Sequence, residues 1–306
     1  MAFGPLLSGV ENALGAGEPA VEQQCARASM ADDQDDFKEQ QHFASIVRAF
    51  DNYRPWALRK VAKLEADYRQ LSPPQQELLR TGEKVAGMRA CIEANAAILQ
   101  RIVAPHRKHV GAGEVDGGQQ QADPQMGYHG YVPESDMDKL QSTIKQFVRE
   151  WGAEGAAERE QAHAPLFDAL RKALPGGAEA GARVLLPGAG MGRLVWEAAA
   201  QGYTAQGSEF SYFMLIASNF ILNGLQTAQL DSFVIHPWVL STCNVRLRED
   251  QLRPARVPDV LPWSLPPTAS MSMTAGDFLD VYSGQHQEWD AVCTCFFIDT
   301  AHDVTA

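Results

Sequence analysis

The chain has 306 residues, with 26 lysines and arginines against 38 acidic residues, a net charge of −12 and 45% hydrophobic content. That length bounds one sizeable domain plus a smaller one, and the acidic balance argues against nucleic acid as a partner, because such binding leans on Lys and Arg neutralising phosphates. No apolar run reaches the roughly 18 residues of a membrane span, the acidic and weakly apolar N-terminus does not read as a secretory signal, and five scattered cysteines point to a reduced, cytoplasmic or nuclear setting without a disulfide framework.

Residues 1–36 are small, Gln-rich and acidic, ending in ADDQDDF, and their composition predicts disorder. Residues 37–112 read as a helical region. Phe43, Ile46, Val47 and Phe50 share one helix face; Leu58, Val61, Leu64, Tyr68 and Leu71 continue it until Pro73-Pro74. Val85, Met88, Ile92, Leu99 and Ile102 define another helix, while Arg59, Lys60 and Lys63 read as a solvated face. Residues 113–132, rich in Gly and Gln, read as a flexible linker before a domain over 133–306.

That domain is expected to open with a helix from Ser135, where Ser135 and Asp138 form a variant capping box. Leu140, Ile144, Phe147 and Trp151 are its apolar stripe, and Gln146 and Arg149, three apart, share another face. A second helix over about 156–174 leads through Pro175-Gly176-Gly177 to the segment RVLLPGAGMG, residues 183–192. There a short apolar strand meets Gly188, Gly190 and Gly192, and a helix-like stretch, RLVWEAAAQG, follows. Strand, glycine turn and helix begin a doubly wound α/β unit whose glycines let the backbone approach a nucleotide closely. Glu209, ending the next strand candidate, stands where an acidic residue holds a ribose diol. A dinucleotide fingerprint requires a third glycine where this chain has Arg193, so a nicotinamide-dependent oxidoreductase is disfavoured.

The run SYFMLIASNFILNG is apolar nearly all round, which predicts a helix buried on several sides beneath the N-terminal region. Six prolines between Pro237 and Pro267 suggest an insertion without regular structure, entered through FVIHPW. SMTAGDF gives a strand ending at Asp277-Phe278, and WDAVCTCFFID another, apolar throughout as in a strand buried on both faces. Cys293 and Cys295 form C-x-C without a second pair at zinc spacing, so no metal site is expected.

Taken together, VLLPGAGMGRLVWEAAAQGY, GSEFSYFMLIASNFILN, TAGDF, KQFVREW and CTCFFIDTAH resemble the carnosine N-methyltransferase family, from about Phe37 onward and most densely from Asp136. The resemblance implies an α/β fold, a Rossmann-like class I methyltransferase core with an N-terminal helical domain, and S-adenosylmethionine as cofactor. It implies methyl transfer to an imidazole nitrogen of carnosine or a related histidine-containing peptide. The implied cofactor-binding residues are Gln146, Arg149, Gly188, Gly190, Glu209, Asp277, Phe278 and Cys295. Asp299 is the implied catalytic and substrate-binding residue, and His302 a second substrate contact.

Such cores have seven strands, in the order 3-2-1-4-5-7-6. The present chain supplies candidates for strands 1 (about 183–187), 2 (203–207), 3 (270–275) and 4 (289–298). An incomplete core with weak turnover is therefore expected, the alternative being an inactive fragment that acts through cofactor binding or protein interaction. Strand 4 would be an edge open to pairing with another chain, a homodimer included.

Overall fold

The computed structural model describes residues 19–109, 132–225, 229–243 and 245–300. The chain opens on α1 (Pro19–Tyr68), followed by α2 (Pro73–Leu78), α3 (Thr81–Val103), α4 (Glu134–Trp151), α5 (Ala156–Ala173) and α6 (Gly177–Ala180). Then come β1 (Arg183–Pro187), α7 (Arg193–Ala200), β2 (Thr204–Glu209) and α8 (Tyr212–Gly224). The last elements are β3 (Phe233–Ile235), α9 (Arg248–Leu252), β4 (Ala255–Val257), β5 (Ser270–Ala275), α10 (Phe278–Tyr282) and β6 (Ala291–Val292).

The helical stripes pack as their spacing predicts. Ile46, Val47 and Phe50 of α1 are buried, as are Val85, Met88, Ile92, Leu99 and Ile102 of α3 and Leu140, Ile144, Phe147 and Trp151 of α4. They join one core with Phe213, Ile216, Phe220 and Ile221 of α8, so α8 is covered by the helical region as expected. Phe50 stacks on Phe213 at 6.0 Å between ring centroids.

Several local expectations give way. Helix α1 starts at Pro19, inside the stretch expected to be disordered, because Ala, Glu, Gln and Arg are good helix formers and proline suits a first turn. Residues 1–18 and most of the expected linker lie outside the described residues. Helix α4 begins at Glu134, not Ser135, and has no side-chain cap. Its entry is held instead by Trp56 Nε1, which donates to Glu134 Oε2 at 2.9 Å, and by an ion pair of Glu134 with Lys60. Lys60 also lies over the Trp56 ring, so it belongs to this clasp as well as to the solvated face.

Strands β5, β2, β1 and β6 form one parallel sheet in that order, which is the 3-2-1-4 order of a Rossmann-like core. Leu185 and Leu186 of β1 are buried, and α5 and α7 share a second core with the sheet through Phe167, Leu170, Val195 and Ala198. The fourth strand is much shorter than the expected 289–298. Cys293 N still donates to Leu185 O at 2.8 Å, but the chain then lifts away: Phe296 adopts φ 55°, and Phe297 packs on Gly188. Val292, Phe296 and Ile298 are exposed, not buried on both faces, because β6 is the last strand of the described sheet.

The proline-rich insertion also contains regular structure. β3 pairs antiparallel with β4, Phe233 opposite Val257. Its prolines flank these strands and do not interrupt them: Pro237 follows β3, while Pro254 precedes β4 and Pro258 comes just after it. Asn95 of α3 clamps the hairpin, donating to His236 O at 2.9 Å and accepting from His236 N at 2.7 Å.

Candidate functional site

The carboxyl ends of β1 and β2 carry the site, as expected for an open α/β sheet. Gly188, Gly190 and Gly192 have φ of 66°, 56° and 84°, a region that L side chains rarely adopt. Each also sits where a side chain would be crowded. A Cβ on Gly188 would lie 2.5 Å from the Phe297 ring, and one on Gly190 would collide with Glu150 Oε1. The turn therefore presents bare backbone to whatever lies over it.

Glu209, at the end of β2, reaches back to this turn. Gly190 N donates to its Oε2 at 2.8 Å, and Ser211 N to its Oε1 at 2.8 Å. Burial pushes its carboxyl above the usual carboxylate range, against these backbone N–H groups, which favour the charged form. With the Phe210 N–H a third donor to a carboxylate of about four lone-pair sites, acceptor capacity remains for a ligand hydroxyl.

Asp277 follows from β5 pairing beside β2. Gly276 N donates to Glu209 O at 3.1 Å, which places the neighbouring Asp277 at the same sheet end. Asp277 Oδ1 caps α10, accepting from Leu279 N at 2.8 Å. Phe278 lies 5.9 Å from Phe297 and 5.3 Å from Tyr282, forming an aromatic wall that continues onto Gly188.

Helix α4 closes the other side. Arg149 Nε donates to Glu158 Oε1 at 2.9 Å and Nη1 to Gln146 Oε1 at 3.3 Å. Its guanidinium is 5.9 Å from the Phe296 ring, and it lies close enough to Cys295 to favour the thiolate, although burial is the larger effect and raises that thiol. Asp299, in a short turn of 3-10 helix over Ile298–Thr300, is exposed, with no partner among the described residues. His302 lies outside the described residues.

One residue escapes the sequence reading. Glu150 accepts from Met191 N at 3.0 Å, from Arg193 N at 3.2 Å and from Gln146 Nε2 at 2.7 Å. It thus ties α4 to the glycine turn. Burial pushes its carboxyl up, with the Glu209 charge adding to the effect, while the loop N–H groups and Gln146 oppose it. The signal was available: Gln146 and Glu150 are four apart on one helix face.

Behind the turn, Arg193 is buried and does what a glycine could not. It donates to Asp259 Oδ1 at 2.6 Å and to Glu197 Oε1 at 2.8 Å, and it lies 5.2 Å from the Trp151 ring and 5.5 Å from that of Trp196. Arg159 pairs with the other oxygen of Asp259 and donates to Arg149 O at 2.7 Å. The hairpin insertion thereby anchors both α4 and the start of α7. A cavity of about 590 Å³ opens beside this network between α5 and α7, lined by Arg159, His163, Phe167, Trp196 and Glu197 among others.

The family profile described as carnosine N-methyltransferase matches residues 127–306, more than half of the chain. The chain is 40% identical over 274 residues to the carnosine N-methyltransferase of Rattus norvegicus, covering 87% of this chain and 65% of that relative. The Mus musculus protein gives the same identity and coverage. "Carnosine N-methyltransferase unmet" of Drosophila melanogaster is 36% identical over 304 residues, 94% of this chain and 65% of the relative. The chain thus spans a little under two thirds of the length of these relatives.

Proposed function

The chain belongs to the carnosine N-methyltransferase family, and from that premise we propose that it binds S-adenosylmethionine and directs its methyl group to an imidazole nitrogen of a small histidine-containing peptide such as carnosine. The observation that carries this reading is the contact of Gly190 N with the Glu209 carboxylate, flanked by Arg149 and Glu150 from α4.

The residues fit that cofactor. The glycine turn is a cradle that a Cβ would fill, Glu209 retains acceptors for a ribose diol, and Phe278 offers a face for a purine. Asp277 Oδ2 has no hydrogen bond among the described residues and suits an exocyclic amine. Arg149, with Gln146 beside it, presents a planar fork suited to a carboxylate, once exchanged from Glu158. Cys295 lines the wall between them as a protonated thiol.

When bound, S-adenosylmethionine supplies a methyl group already activated on a sulfonium. The chain's own task is therefore alignment and exclusion of water. The acceptor ring must be neutral, as an imidazole with a pKa of about 6.5 mostly is at neutral pH. Asp299, in the short 3-10 turn that follows β6, would accept the N–H of the far ring nitrogen, fix the tautomer and favour the charge that the ring gains. Phe296 and Phe297 would shield the space between.

Calorimetry with S-adenosylhomocysteine, followed by transfer of labelled methyl to carnosine, tests the proposal. Binding together with label in the imidazole ring is expected. Absence of binding at millimolar ligand would overturn it.

A further inference from the structure

Glu150 draws hydrogen-bond donors from two places at once, the glycine turn with the start of α7 and its own helix α4. Met191 N contacts both of its oxygens at 3.0 Å, Arg193 N contacts Oε2, and Gln146 Nε2 contacts Oε1. An ionised carboxylate, which is acceptor-only, suits such a set best, since a protonated one would add an O–H among donors. A glutamine would turn an N–H group toward one of these donors.

Its position is equally specific. Gly190 has Glu209 on its amide and Glu150 Oε1 where its side chain would be, so two carboxylates approach one residue. On its other side, Glu150 is joined through Gln146 to Arg149. Glu150 therefore lies between the acceptor for a ribose and the fork for a carboxylate. In S-adenosylmethionine the groups between those two ends are the α-ammonium and the sulfonium, both positive. After methyl transfer the sulfur is a neutral thioether, and the ligand carries one positive charge fewer.

We propose that Glu150 sets the preference of this site for the charged methyl donor over its neutral product, by holding a fixed negative charge against the glycine turn between Glu209 and Arg149. The assignment rests on the methyl-donor reading above. Desolvation makes this carboxylate costly in the empty protein, and a cationic ligand relieves that cost where a neutral sulfur does not. The same difference favours release of product once the charge on sulfur has gone.

The test is calorimetric titration of the full chain and of its E150Q and E150D variants with S-adenosylmethionine and with S-adenosylhomocysteine. E150Q is expected to weaken the donor about tenfold, the scale of a lost charge-assisted contact, and the product by less than about threefold. E150D, which keeps the charge, should retain most of the wild-type ratio. Equal losses for both ligands in E150Q, or an E150D ratio as low as that of E150Q, would overturn the assignment and leave Glu150 a purely structural clamp.

Should E150Q not fold, the wild-type chain carries the test alone. Its product-to-donor Kd ratio must fall on acidification as Glu150, whose carboxyl burial pushes up, takes a proton. Arg149, pushed up by its bond to Glu158, keeps its charge on acidification, and the Cys295 thiol stays neutral. The other facing carboxylate, Glu209, adds its own charge to the same field, and repeating the ratio in E209Q removes that contribution. A pH-independent ratio sinks the inference. Failure of the wild-type chain to bind either ligand would instead remove the methyl-donor reading, and this assignment with it.

Discussion

Glu209 is asked to do two things that pull in opposite directions. Folding buries it, which raises its pKa, yet it must be ionised to accept hydrogen bonds from a ribose diol. A carboxyl whose folded pKa lies above its unfolded value binds more protons in the native state. Its contribution to stability is therefore greatest at low pH and declines as pH rises through the window between the two values. The wild-type chain minus E209Q should show this sign in denaturant titrations: the stability difference shrinks as pH rises from the usual carboxylate range to the raised value, then levels off. Affinity for S-adenosylhomocysteine should move the other way, weakening on acidification in the wild type and staying weak and flat in E209Q. A stability difference that grows with pH would show that hydrogen bonds from Gly190 and Ser211 outweigh burial at this carboxyl.

At the scale of elements, the network around Asp259 ties the hairpin segment to the glycine turn. Arg159 and Arg193, both buried, converge on its two oxygens, and Asp259 N donates to Trp151 O at 2.8 Å. Asp259→Ala would take the shared carboxylate from two buried guanidiniums, leaving Arg193 with Glu197 and Arg159 with backbone carbonyls, and should cost about 3 kcal/mol, a large share of a typical domain's stability. Thermal unfolding measures it directly; a loss below about 1 kcal/mol would mean that water takes over both cations. Nothing in the sequence announces this network, since Asp259 lies 66 residues from Arg193 and 100 from Arg159. What was legible was local. The stripes of α3 and α4 repeat with helical period, and β1, the glycine turn and Glu209 carry their own backbone requirements. The end of β6 was not legible, because apolar composition cannot reveal where a strand loses its neighbour. Only the packing of Phe297 on Gly188 shows why the chain turns there. The β3–β4 pair was hidden for the opposite reason: prolines at strand ends look, in sequence alone, like prolines that forbid strands.

Across the whole molecule, the helical N-terminal elements and the nucleotide-site elements are not two separately closed cores. Residues of α1 and α3, including Phe50 and Ile92, belong to the same buried cluster as Trp151 of α4, Phe213 and Ile216 of α8, and Phe233 of the hairpin. Phe233 stands edge-on to both Phe147 and Phe220, at 5.9 and 5.6 Å. Removing the helical region would expose the apolar side of α8, which starts directly after Glu209 and so shares its backbone with the site. Unfolding should therefore be a single transition in calorimetry, and a ligand bound at Glu209 should shift all of it upward. Phe213, 2% exposed and stacked on Phe50, is the place to probe the seam. Phe213→Ala should cost about 3–5 kcal/mol and lower that one transition without splitting it. It should also weaken S-adenosylhomocysteine binding, because α8 positions Ser211, whose N–H holds the Glu209 carboxylate. Two separate transitions in the wild type, only one of them moved by ligand, would mean that α1 and α3 melt on their own and that the site draws no support from them.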